Sequence, residues 1–173
     1  MCATQSRGFT LVEALITIAI SAILLAAAVP MYTDLVVRQR VDAAVNDLSF
    51  AVSLTRSEAI KRSSRVAIAP IDAVNWTSGW RVFVDSNDNG LFDPDEQLLR
   101  EFAAPAEKIS IDAKGSGLDK VISYNELGFA RQPGGDGLAL GHFVVTYDTD
   151  KAHPRTLCFS TARVRLVHAD KCS

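Results

Sequence analysis

Between Phe9 and Val29 the chain runs 21 residues with a single charge, Glu13. As a helix this stretch is about 31 Å long, enough to cross a hydrocarbon core of roughly 30 Å. A core helix of a globular domain rarely stays apolar all round for so long, so the segment reads as a membrane span. A cleaved secretory signal is the rival reading, because Ala26, Ala27 and Ala28 offer small residues before Val29 and Pro30. Glu13 argues against it. A carboxylate within a membrane helix costs about 3 kcal/mol at its centre, and such groups usually face a protein partner. Glu13 either reaches the headgroups from near the helix end or waits for a positive charge on a neighbouring subunit.

The residues around Glu13 form a recognisable set. Gly8-Phe9-Thr10-Leu11-Val12-Glu13 resembles the leader junction of type IV pilins and pseudopilins. The resemblance implies cleavage between Gly8 and Phe9 by a prepilin peptidase, N-methylation of Phe9, and Glu13 as the fifth residue of the mature chain. In a filament the new amine of one subunit then neutralises the glutamate of its neighbour. Pro30 falls where such chains often carry a helix-breaking proline. It removes one backbone hydrogen bond, and it can equally mark the membrane edge.

Composition sets further bounds. The net charge is −2, which excludes a strongly basic protein, but it hides an asymmetry. Asp85, Asp88, Asp93, Asp95 and Glu96 fall within one basic-free stretch, whereas Lys151, Arg155, Arg163, Arg165 and Lys171 crowd the end beside Asp170 alone. Of three cysteines, Cys2 lies in the leader and no apolar region precedes it, so it is not read as a lipoprotein acylation site. Cys158 and Cys172 remain as an even pair, which an oxidising periplasm would join into a loop of about 15 residues. Two unpaired buried thiols, or zinc ligands short of companions, are the other readings. Arg38 and Arg40 beyond the span outnumber Arg7 before it, which opposes an outward C-terminal part by the positive-inside rule. The outward placement rests on the leader and the cysteine pair.

From Met31 to about Arg62 the chain lacks glycine and proline and reads as a continuing helix. Val41, Val45, Leu48, Val52, Thr55 and Ala59 recur at spacings of three and four. They form one stripe, with Arg38, Asp42, Asp47, Arg56 and Lys61 largely elsewhere. Such a stripe can seed a coiled coil or pack on a sheet. Period-two segments follow at 64–69, 80–85, 108–111, 120–124, 142–147, 155–160 and 163–167. Residues 97–102 suit a strand or a short helix, and 131–137 a flexible turn. The predicted chain is α+β: a leader at 1–8, a membrane helix at 9–29, a spine helix at 30–62, and an antiparallel β-rich domain at 63–173. That is the type IV pilin-like architecture.

Two stretches narrow the resemblance. Thr55-Arg56-Ser57-Glu58-Ala59-Ile60 ends the spine, and Gly79–Gly90 is followed by Glu96-Gln97-Leu98-Leu99-Arg100-Glu101. Together they resemble the GspH/FimT family of minor pilins and pseudopilins. The likeness covers the leader, the spine and the first hairpin, then thins. It implies a non-catalytic, low-abundance subunit at or near the tip of a type II secretion pseudopilus or a type IV pilus. The implied partners are other pilin subunits, the prepilin peptidase and the inner membrane.

Two stretches carry candidate chemistry. Asp85, Asn87, Asn89, Gly90, Asp93 and Glu96 fit positions 1, 3, 5, 6, 9 and 12 of a calcium loop. The loop follows a strand rather than a helix, however, and Asn-Gly turns are common in hairpins. Arg163 and Arg165 alternate on a strand and, with Arg155, Lys151 and Lys171, could hold DNA phosphates. Some pilus-side family members bind DNA through a Gly-Arg-x-Arg element near the C-terminus, where this chain has Ala162-Arg163-Val164-Arg165. The bland alternative is a charged edge strand. His142, His153 and His168 sit in no metal or triad spacing, and no phosphate loop or nucleophile elbow occurs, so the chain does not read as an enzyme.

Overall fold

The computed structural model describes residues 9–72, 74–116, 118, 120–135, 137–148, 150–160, 163–167 and 172, with backbone alone at 116, 150–153, 160 and 163. Helix α1 spans Leu11–Arg62. The strands are β1 (Val66–Asp72), β2 (Asn75–Val84), β3 (Leu98–Phe102), β4 (Ile109–Ser116), β5 (Ile122–Tyr124), β6 (Ala130–Arg131), β7 (Leu140–Tyr147), β8 (Asp150–Ser160) and β9 (Arg163–Val167). By internal contacts the chain divides into one unit up to Val37 and a second from Arg38 onward.

In the first unit the helix bears no buried side chain. Every described residue from Phe9 to Thr33 is exposed except the half-buried Ala14. The helix continues through Pro30, whose carbonyl accepts a hydrogen bond from the Thr33 hydroxyl at 2.8 Å.

The second unit is built on the stripe. Val41, Ala44, Val45, Leu48, Ala51, Val52, Thr55 and Ala59 are the buried residues of α1. They pack against two antiparallel sheets, one ordered β3-β2-β1-β5-β6 and the other β4-β7-β8-β9. Val66, Ile68, Trp80, Val82, Ile122 and Tyr124 face this core from the first sheet; Phe143, Val145, Leu157 and Phe159 face it from the second. Trp76 joins the two, with its ring 4.8 Å from that of Phe143 and its indole N–H donating to the Leu118 carbonyl at 3.2 Å. Burial keeps the Tyr124 hydroxyl neutral, its pKa pushed up to about 12.

The helix ends are satisfied. At the C-terminus the Ser64 N–H donates to the Ala59 carbonyl and the Ser63 N–H to that of Ile60, a Schellman closure with Ser63 at φ 49°. Of residues 97–102, Leu98–Phe102 form strand β3, and Arg131, at the start of the expected 131–137 turn, lies in β6 and bridges to Leu138. β2 begins five residues before Trp80, because Gly79 lies inside the strand rather than ahead of it. A Cβ there would stand 2.5 Å from the Phe102 carbonyl oxygen, so glycine lets β3 close on β2.

Cys158 and Cys172 form a disulfide with a Cα separation of 5.9 Å across 14 positions. Replacing both by serine is expected to lower the unfolding free energy by about 3 kcal/mol, read from the urea midpoint at pH 7.

Candidate functional site

The helix start is defined by two adjacent features. Thr10 is its N-cap: the Thr10 hydroxyl accepts the Glu13 N–H at 3.3 Å, and the Thr10 carbonyl accepts that of Ala14 at 3.2 Å. Glu13 is therefore the third helical residue, beside the unpaired amides of the first turn and the positive end of the helix dipole. Thr10-x-x-Glu13 is a capping-box pattern, a helix-start signal carried by the spacing of the two residues alone. Phe9 is 72% exposed. Gly8, the residue before the expected cleavage, lies outside the described residues.

The acidic loop is held by its own hydrogen bonds. The buried Asp85 carboxylate accepts the N–H of Asn89 at 3.1 Å and of Gly90 at 3.0 Å. The side-chain amides of Asn87 and Asn89 both donate to Asp93, each at 2.8 Å. Glu96 accepts the Ser86 and Asp93 N–H groups at 2.9 and 3.2 Å. Asp88 pairs with Arg65 at 2.9 Å. Each expected calcium ligand thus has a partner within the loop, and no group of three or more His, Cys, Asp or Glu residues forms a metal-holding cluster among the described residues. This is the geometry of a self-closed turn.

The loop also packs. Phe92 sets its ring 5.4 Å from that of Phe83 and joins Ala67, Ala69 and Val121 in a small second core on the outer face of the first sheet. Gly90, at φ 72°, lets the chain pass where a Cβ would meet the Pro133 ring at 2.5 Å.

Burial, reinforced by Glu96 and Asp88, raises the Asp85 pKa above its ordinary value, against the opposing pull of the Gly90 and Asn89 amides. The folded chain thus binds this proton more tightly than the unfolded chain. Asp85 ionisation therefore removes stability as pH rises from its unfolded pKa of about 3.9 through the folded value. Asp85→Asn should lack that decline when urea midpoints are compared between pH 4 and pH 7. Asp85→Ala should cost about 1–3 kcal/mol at pH 7 by stranding the buried Gly90 N–H, since the exposed Asn89 N–H keeps Asn87 Oδ1 at 3.2 Å.

Two of the basic C-terminal residues, Arg155 and Arg165, do not share a face. Arg155 donates to Asp42 of α1 at 2.8 Å and is only 15% exposed. It shares its side of β8 with the core residues Leu157 and Phe159, so it acts as a clamp on the helix. β9 is an edge strand in which Arg165 pairs with Cys158 and Arg163 with Ser160. This puts Arg165, which is exposed, on the opposite side of the sheet from Arg155. Lys171 and Ala162 lie outside the described residues.

Known proteins share both halves of this arrangement. Residues 4–29 match the prokaryotic N-terminal methylation motif, and residues 44–163 match the family described as type II transport protein GspH. The pilin-like protein PilA1 of Thermus thermophilus is 34% identical over 92 residues, which are 53% of this chain and 56% of that protein. The chain thus spans about half the length of this curated relative. Two crystal structures of the type IV minor pilin FimU from Pseudomonas aeruginosa share the fold. One, in space group P21, gives a TM-score of 0.58 at 17% identity over 75% of this chain and 90% of that one. The other, in P65, gives 0.55 at 16% identity over 73% and 91%. A capped apolar helix carrying Glu13, followed by a two-sheet domain matched through residue 163, places the chain in the GspH family of minor pilins and pseudopilins.

Proposed function

We propose that this protein is a membrane-anchored, non-enzymatic subunit of a type II secretion pseudopilus or type IV pilus, at or near the filament tip, serving assembly and protein secretion. One observation carries the reading. The first part of α1 is apolar and exposed, and it bears its only carboxylate at the third helical position, within the segment that matches the methylation motif. Such a helix needs lipid or other helices around it. On this reading the prepilin peptidase cuts between Gly8 and Phe9, Phe9 is N-methylated, and its amine meets Glu13 of a neighbouring subunit. The Cys158–Cys172 disulfide supports a periplasmic domain.

Assembly supplies the selectivity. In lipid either charge alone is costly, whereas the adjacent pair offsets that cost. Glu13→Ala should leave the chain cleaved and inserted but reduce its recovery in sheared filaments about tenfold, with Glu13→Gln close behind. Normal recovery of both variants would remove Glu13 from assembly.

The exposed Arg165 on the edge strand β9, beside the register position of Arg163, favours DNA capture as a second reading. Fluorescent duplex DNA titrated against the domain from Arg38 onward should bind with strong salt dependence. Arg163→Gln/Arg165→Gln should reduce the slope of log K against log salt by about 2. An unchanged slope would leave the charged edge as a guard against strand pairing.

A further inference from the structure

The acidic loop covers only part of the outer face of the first sheet. Beside it lies a groove of about 460 Å³ whose walls include Ile71, Val74, Leu91 and Phe92. Val74 is 56% exposed and Leu91 65%, so a strongly apolar surface is left open. Two cations line the same groove, Arg81 and Lys120. The Arg81 guanidinium stacks over the Phe92 ring at 5.1 Å, and its Nε is buried with no acceptor. The carboxylate of Glu101 stands 4.0 Å from its terminal nitrogen. Lys120 is exposed and has no acidic partner among the described residues. The groove therefore calls for an apolar side chain with a carboxylate beside it.

The chain carries that element itself. The turn after β5 presents Glu126 and Leu127 side by side, and Leu127 is 67% exposed. Glu126 is exposed without a basic partner among the described residues. The turn is rigid. The Asn125 side chain accepts the Leu127 and Phe129 N–H groups at 3.2 and 2.9 Å, and Gly128 lies so close to Ile60 of α1 that a Cβ would meet its Cδ1 at 2.7 Å. The backbone of such a knob is already ordered before it docks, which leaves only side-chain ordering to be offset.

Knob and groove sit at opposite ends of the same two strands. β1 pairs antiparallel with β5, Val66 facing Tyr124 and Ile68 facing Ile122. The turn therefore leaves at the Val66 end, while Lys120 and Ile71 mark the other end, roughly 20 Å away at strand rise. A surface at one end complementary to a surface at the other gives a head-to-tail contact rather than a two-fold one. We propose that the groove beside Phe92 receives the Glu126–Leu127 turn of a second copy of this chain. Leu127 lies against Val74 and Leu91, and Glu126 reaches Arg81 and Lys120. The contact is a property of the folded domain and stands apart from the role of Glu13 in assembly.

Disulfide trapping tests it on the full chain in detergent, with Cys2→Ser as background. Val74→Cys and Leu127→Cys chains mixed in equal amounts should form a mixed dimer about tenfold faster than Leu98→Cys mixed with Leu127→Cys, Leu98 being an exposed residue of β3. Lys120→Glu in the Val74→Cys chain should slow trapping about two- to fivefold, the range of an exposed ion pair. Glu126→Lys in the Leu127→Cys chain should restore it. Trapping no faster than the control overturns the contact, whatever becomes of Glu13→Ala in filaments. Fast trapping that the charge exchange fails to rescue overturns the register. Near-ultraviolet circular dichroism of each variant confirms that the partners are folded.

Discussion

The burial of one face of α1 against two sheets at once is the contact on which the rest of the domain depends. Neither sheet encloses a core alone: the first has five strands, two of them only two or three residues long, and the second has four. Leu48, Ala51 and Val52 fill the space between them and are essentially inaccessible to solvent. The alanines at 44, 51 and 59 keep the helix close to the strands, and Thr55 is tolerated there because its hydroxyl bonds back to the Ala51 carbonyl at 2.7 Å. Loss of a large residue from this seam would open a cavity facing both sheets, where neither can collapse onto the other. The Arg155–Asp42 pair fastens the second sheet to the same helix by a polar route.

What could be read in advance follows from periodicity. The stripe from Val41 to Ala59 was legible because a helix repeats its apolar positions over many turns, and all six of those residues are buried. Strands with alternating apolar residues were legible for the same reason, down to the bounds of β9. β6 was missed because two residues show no period. The early part of β2 was hidden behind Gly79, which a local reading takes as punctuation. At the sites, residue types were legible and partners were not. The spacing of Asp85 to Glu96 advertises oxygen ligands, yet it could not reveal that the Asn87 and Asn89 amides turn toward Asp93 or that Phe92 docks on Phe83. Arg155 and Arg165 look alike in sequence. Strand register sends one to the helix and leaves the other exposed.

The acidic loop shows how a single feature serves two surfaces. Ala67 and Ala69 are small where the loop crosses the first sheet, so Phe92 can settle on Phe83 without displacing the strands. Asp85 then anchors the loop from below through two amides, and Arg65 holds Asp88 from the side. The loop covers the sheet only as far as Phe92 reaches, and the apolar remainder stays open beside Arg81.

Glu13 follows a related logic in a different solvent. A charge at the centre of a membrane helix costs about 3 kcal/mol, and less near its ends. A carboxylate in the first turn of a helix recovers about 0.3–1 kcal/mol from the dipole, and up to about 2 where it is partly shielded. The Thr10 cap places Glu13 in that turn, so part of its penalty is offset within the chain itself. What is left, on the order of 1–2 kcal/mol, is too small to prevent insertion and large enough to favour any arrangement that supplies a cation. In the proposed filament that cation is the Phe9 amine of the next subunit. The cap and the glutamate then act in sequence: one makes the lone chain tolerable in lipid, and the other leaves it incomplete until it is assembled.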